Sequence, residues 1–104
     1  MQYEIFHAIG KDTMFTETEN QIRILVGVVE ADSLEHAYTL SQNFDKPWSS
    51  FLPCRSTSVG DVIKDDKGCY MVCNVGFKAI SPFWSSEEEM TEADYWSGEP
   101  YLEQ

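Results

Sequence analysis

Residues 2–9, QYEIFHAI, alternate with a period of two: Tyr3, Ile5, His7 and Ile9 share one face, and Glu4, Phe6 and Ala8 the other. Alternation with aromatic and β-branched residues predicts a strand. Residues 10–20 are polar and acid-rich and read as a loop. In residues 21–31, QIRILVGVVEA, Ile22, Ile24, Val26 and Val28 fall on one face, while Leu25 and Val29 make the other largely apolar too. That pattern predicts a central strand covered on both sides. The connection is short for a crossover, so antiparallel pairing with the first strand is expected.

The period then changes to 3.6. Leu34, Ala37, Tyr38 and Ser41 recur at helical spacing, flanked by Leu40 and Phe44. Asp32 with Glu35 three residues on forms a capping-box pattern, and Pro47 forbids continuation, which predicts a helix over residues 33–43 with His36 on its polar side. Residues 45–58, DKPWSSFLPCRSTS, form a connection in which Trp48, Phe51 and Leu52 either fold back over the core edge or present an aromatic contact surface. Residues 59–63 and 69–80 read as two further strands. Lys64-Asp65-Asp66-Lys67-Gly68 joins them as a hairpin loop with a left-handed glycine, and Gly76 marks a bulge. The expected fold is one α+β domain over residues 1–84, an antiparallel sheet with one packed helix in β-β-α-β-β order.

Charge separates this domain from the C-terminal tail. The net charge is −11, and residues 85–104 hold seven acids and no base, against eleven acids and seven bases before them. Clustered Lys and Arg are needed to contact phosphates, so direct nucleic-acid binding is not expected, and an anionic membrane surface is disfavoured likewise. Within the tail, Ser86 with Glu89 resembles a second capping box, allowing a short C-terminal helix over about residues 87–96. Three readings of the tail stay open: a solvated extension, a segment docked through Phe83, Trp84 and Trp96, or a recognition segment whose carboxylates steer a basic partner. The apolar run 24–29 is too short to span a bilayer, and the start of the sequence shows no secretory pattern, so a cytoplasmic location is expected.

Residues 55–63, RSTSVGDVI, with Tyr70 and then Gly76-Phe77-Lys78-Ala79-Ile80, resemble the YodL-like family of small bacterial domains often found in plasmid- and phage-associated proteins. The resemblance spans residues 55–83. It implies a hairpin and a mobile-element setting, without an activity.

Candidate chemistry is sparse. Cys54, Cys69 and Cys73 are an odd number, which argues against a disulfide framework. On one strand Cys69 and Cys73 would lie about 13 Å apart, beyond the roughly 7 Å a disulfide tolerates. Neither a zinc-ligand spacing nor a phosphate-binding glycine pattern is present. A thiol nucleophile activated by His7 or His36 is the least favoured reading, because strand cysteines are usually inert. No catalytic residue, metal or cofactor is therefore expected. The polar cluster Arg55, Ser56, Ser58 and Asp61 reads structurally as turn hydroxyls with an Arg55–Asp61 pair. Functionally it reads as a partner-binding patch together with Trp48, with Trp84 and Trp96 as further anchors. The sequence thus favours a non-enzymatic protein-interaction or regulatory module. Its principal alternative is an inhibitor that mimics the charge of DNA.

Overall fold

The computed structural model describes residues 1–10, 12–44, 47–51 and 53–80. The expected tail helix and the tail anchors Phe83, Trp84 and Trp96 lie outside the described residues. Within them the order is β1 (Gln2–Ala8), β2 (Arg23–Glu30), α1 (Leu34–Leu40), β3 (Val62–Lys64), β4 (Cys69–Val72) and β5 (Phe77–Ile80). The strands form one five-stranded sheet in the order β2-β1-β3-β4-β5, every neighbouring pair antiparallel.

The α+β class is as expected, but the strand count is not. The stretch 69–80 is two strands rather than one bulged strand. The chain reverses at residues 73–76, where Cys73 donates its N–H to the Gly76 carbonyl at 2.9 Å and Gly76 takes φ 74°. That left-handed backbone is open to glycine at little cost, which is why the reversal falls there. Gly68, by contrast, is not left-handed. Its hairpin is held by the Asp65 carboxylate, whose Oδ1 accepts the N–H groups of Lys67 and Gly68 at 2.7 and 2.9 Å. An acidic side chain supplies the turn that glycine was expected to make.

β2 is a sheet edge, not a central strand. Its second apolar face has a different origin: the register with β1 shifts between Ile5 and Phe6. Such a bulge lets consecutive residues turn to the same side, so Val26 and Gly27 are both buried. The connection after α1 covers this edge, with Phe51 N–H bonded to Val26 O at 2.7 Å. Covering an edge in this way removes a template for pairing with another chain.

β1 keeps to its alternation: Tyr3, Ile5 and His7 are buried, opposite Val29, Gly27 and Ile24 of β2. Ile5 also faces Ile63 of β3. Ala37, Trp48 and Cys54 close the cluster over this face, with Leu34, Tyr38 and Phe77 at its margin. Complete burial of a side chain such as that of Ile5 or Ile63 contributes about 2 kcal/mol, which makes this face the principal source of stability.

The helix is shorter than expected and is capped differently. Ser33, in extended backbone, is the N-cap and accepts the His36 N–H at 3.1 Å. His36 Nδ1 accepts the Asp32 N–H at 3.0 Å, so it takes the part expected of Glu35. At the other end Thr57 N–H bonds Ser41 O, and Gln42 Nε2 bonds both Tyr38 O and Thr57 O. The crossing segment satisfies carbonyls that a further helical turn would otherwise occupy, and the helix ends there.

Gly27 is a packing requirement. A Cβ on it would lie 2.7 Å from two ring atoms of the buried Trp48. Gly27→Ala should destabilise the fold by about 1–2 kcal/mol through overpacking, read as a lower urea midpoint. Because the two side chains would collide, its cost should shrink in a Trp48→Phe background.

Candidate functional site

The structure brings Trp48, Arg55, Ser56, Ser58 and Asp61 together, with Trp48 and Asp61 buried and the other three half-buried. Asp61 is fully buried. Its Oδ2 accepts Arg55 Nη1 at 2.6 Å and Ser58 N–H at 2.7 Å. Its Oδ1 accepts Arg55 Nη2 at 2.9 Å and Ala8 N–H at 2.8 Å. Arg55 Nη2 also donates to Ala8 O at 2.9 Å, and the Phe15 ring lies 4.7 Å from the guanidinium carbon. Ser56 Oγ accepts Asn43 N–H at 2.7 Å. Trp48 donates its indole N–H to Arg55 O at 3.2 Å and lies beside His7. A bidentate carboxylate–guanidinium pair thus ties the end of β1, the segment before β3 and the Trp48 connection into one unit.

His7 extends this network. Its Nε2 lies 2.9 Å from Thr57 Oγ1 and 3.8 Å from Asp61 Oδ2. Hydroxyl, imidazole and carboxylate in one cluster invite comparison with a nucleophile triad. A triad places its acid on the opposite ring nitrogen from the hydroxyl, whereas here both oxygens lie off the same nitrogen. Thr57 is also buried. Burial pushes the His7 pKa down to about 4, with Asp61 opposing the shift and Arg55 adding to it. His7 is consequently neutral at physiological pH.

A second buried base, Arg23, organises the start of β2, where it pairs with Ala8 beside this network. It donates to the carbonyls of Gly60, Glu19, Gln21 and Thr18 and contacts Met71 Sδ. Burial lowers its pKa to about 10, so it remains charged at neutral pH. Burial likewise pushes the thiols of Cys69 and Cys73 upward, opposite to the direction that makes a reactive thiolate. None of Cys54, Cys69 and Cys73 is in a disulfide. Among the described residues, no three His, Cys, Asp or Glu side chains converge as metal ligands, and no helix is long and apolar enough to cross a membrane.

Among the described residues, three exposed apolar side chains lie in α1 and the connection after it. Phe44 is 76 % exposed, Phe51 64 % and Leu40 40 %. Leu40, Phe44, Pro47 and the edge of Trp48 line a depression of about 360 Å³. Buried Trp48 forms its floor, so the side chain expected as an anchor supports the apolar residues beside it. Phe44 and Leu40 were legible as flanks of the helical stripe. Phe44 is exposed because the helix stops at Leu40 instead of carrying it onto the sheet, whereas Leu40 is the last helical residue and faces outward. Arg23 escaped a functional reading because it sits within an apolar strand pattern, and His7, on a similar strand, was weighed only as the activator of a thiol. A lone ionisable residue on such a face is the sequence signal of a buried polar network.

No protein-family model, curated protein or solved structure matches this chain.

Proposed function

We infer that this chain is a non-enzymatic protein-interaction or regulatory module. The observation that carries the reading is the apolar depression lined by Leu40, Phe44, Pro47 and the buried Trp48, with Phe51 exposed further along the same connection. Large aromatics exposed beside a preformed depression supply the anchors that protein interfaces use. The ionisable groups that would serve catalysis are occupied in holding the fold together. A bacterial or mobile-element setting rests on the resemblance of residues 55–83 to the YodL-like family.

Charge mimicry of DNA is less favoured by the described surface. Glu4 pairs with Lys64, Glu19 with Lys78 and Glu30 with the terminal amine. Glu17 accepts two hydrogen bonds from Asn74. A mimic needs unneutralised carboxylates spread along a rigid face, and Glu4, Glu19 and Glu30 are each neutralised by a cation.

The test is affinity capture from a bacterial lysate with the full chain and with a Phe44→Ser/Phe51→Ser variant, each with and without competitor DNA. Substitutions at such exposed positions should shift stability by no more than about 0.5 kcal/mol, verified by thermal unfolding. Loss of an anchoring aromatic should weaken a true partner by about 2 kcal/mol, roughly 30-fold. Equal capture by the variant would refute this surface, and displacement by DNA would favour mimicry.

A further inference from the structure

We propose that the cleft between α1 and the β4–β5 turn receives the guanidinium of an arginine carried by a partner segment, an inference that rests on the protein-interaction reading and specifies its chemistry. The cleft encloses about 420 Å³ and is lined by Glu35, Tyr38, Thr39, Val72, Asn74 and Phe77, among others. The Tyr38 and Phe77 rings meet edge to face, with centroids 6.4 Å apart and planes at 78°. Two differently oriented rings, with Val59 and Val72 also lining the cleft, offer a cation both a ring face and a place for its methylene stem.

Charge selects the ligand. Among the described residues, Glu35 is the only charged one lining the cleft, and no lysine, arginine or histidine lines it. A second carboxylate is held at the rim, where Asn74 donates from its backbone and side chain to Glu17 Oε2 at 2.9 and 3.0 Å. Lys78 is paired with Glu19. His36 is engaged elsewhere, its Nδ1 accepting from Asp32 N–H. The site is therefore aromatic and electronegative. Arginine suits it better than lysine, since a planar, weakly hydrated guanidinium stacks on a ring while bonding a carboxylate.

The place of the cleft in the fold sets it beside the apolar depression. Thr39 lines both this cleft and the Leu40–Phe44 depression, so the two lie on either side of one exposed ridge of α1. A partner segment crossing that ridge would seat an apolar residue on one side and its arginine on the other.

The experiment is an NMR titration of the 15N-labelled full chain with acetyl-Gly-Arg-Gly-amide, alongside the same peptide with citrulline, which keeps the shape and removes the charge. Saturable shifts are expected at the amides of Glu35, Tyr38, Thr39, Asn74 and Gly76. Citrulline should weaken binding about two- to fivefold, the worth of one exposed cation–π contact. Glu35→Gln should weaken it about threefold with an unchanged melting temperature, as expected for one solvent-exposed ion pair. The Phe44→Ser/Phe51→Ser variant should bind the peptide as the parent does, so failure of the apolar surface and failure of the cleft are read separately. Equal binding of the citrulline peptide, shifts centred elsewhere, or no saturation would overturn the proposal.

Discussion

Asp61→Ala is expected to remove about 3–5 kcal/mol of stability, enough to unfold much of the population of a marginally stable domain. The carboxylate accepts four hydrogen bonds at once, two from Arg55 and one each from Ala8 and Ser58. Its removal leaves a mostly buried guanidinium without its counter-charge and two backbone N–H groups without an acceptor. Breaking one partner of a buried pair leaves the other's desolvation uncompensated, which is why the loss exceeds the net worth of the pair. Asp61→Asn should also be destabilising, because an amide nitrogen would face N–H donors that need an oxygen. Removing both partners in Arg55→Leu/Asp61→Ala should cost less than Arg55→Leu and Asp61→Ala added together. Denaturant unfolding tracked by circular dichroism measures the parent and all four variants. A loss below about 1 kcal/mol for Asp61→Ala would show that the network is dispensable.

The second large effect is acid lability. The folded-state pKa of His7 lies at about 4, against 6.5 when solvated. Between these values the unfolded chain binds the proton and the native protein does not, so stability falls as pH is lowered. The stabilisation from keeping His7 neutral is fully present above about pH 6.5. It fades at up to 1.4 kcal/mol per pH unit and is gone near pH 4, a total of about 3 kcal/mol. Urea midpoints across this window should show the slope. His7→Gln, which can still bond Thr57 Oγ1, should flatten it while carboxylate contributions at lower pH persist. An unchanged slope in the variant would assign the acid sensitivity to other groups.

These two effects share a cause. Asp61, Arg55, His7 and Thr57 occupy the space where β1 ends, β3 begins and the connection from α1 crosses between them. A polar network in such a place fixes register more sharply than apolar packing, since each of its bonds has one geometry. It also leaves the outward surface of α1 and the connection after it to the apolar and aromatic features on which the proposed interaction depends.

Much of the fold was legible in the chain because its signals are local. The period-two pattern of Tyr3, Ile5 and His7 depends on adjacent backbone alone, as does the helical spacing of Leu34, Ala37 and Ser41. The Arg55–Asp61 pair was legible too, six residues apart in one polar segment. Tertiary structure decided the rest. Whether β2 lay inside or at the edge of the sheet depended on a bulge and on which strand joined β1's other side. Residues 69–80 carried strand propensity throughout, and only pairing of Phe77 with Val72 made a second strand of their end. Trp48 became a floor and Phe44 an exposed face because Thr57, arriving from later in the chain, bonded Ser41 O and ended the helix. His7 and Arg23 read as ordinary positions on apolar strands until partners from distant segments surrounded them. Periodicity fixes which way a side chain points, whereas burial and partnership are set by segments that meet only in the folded protein.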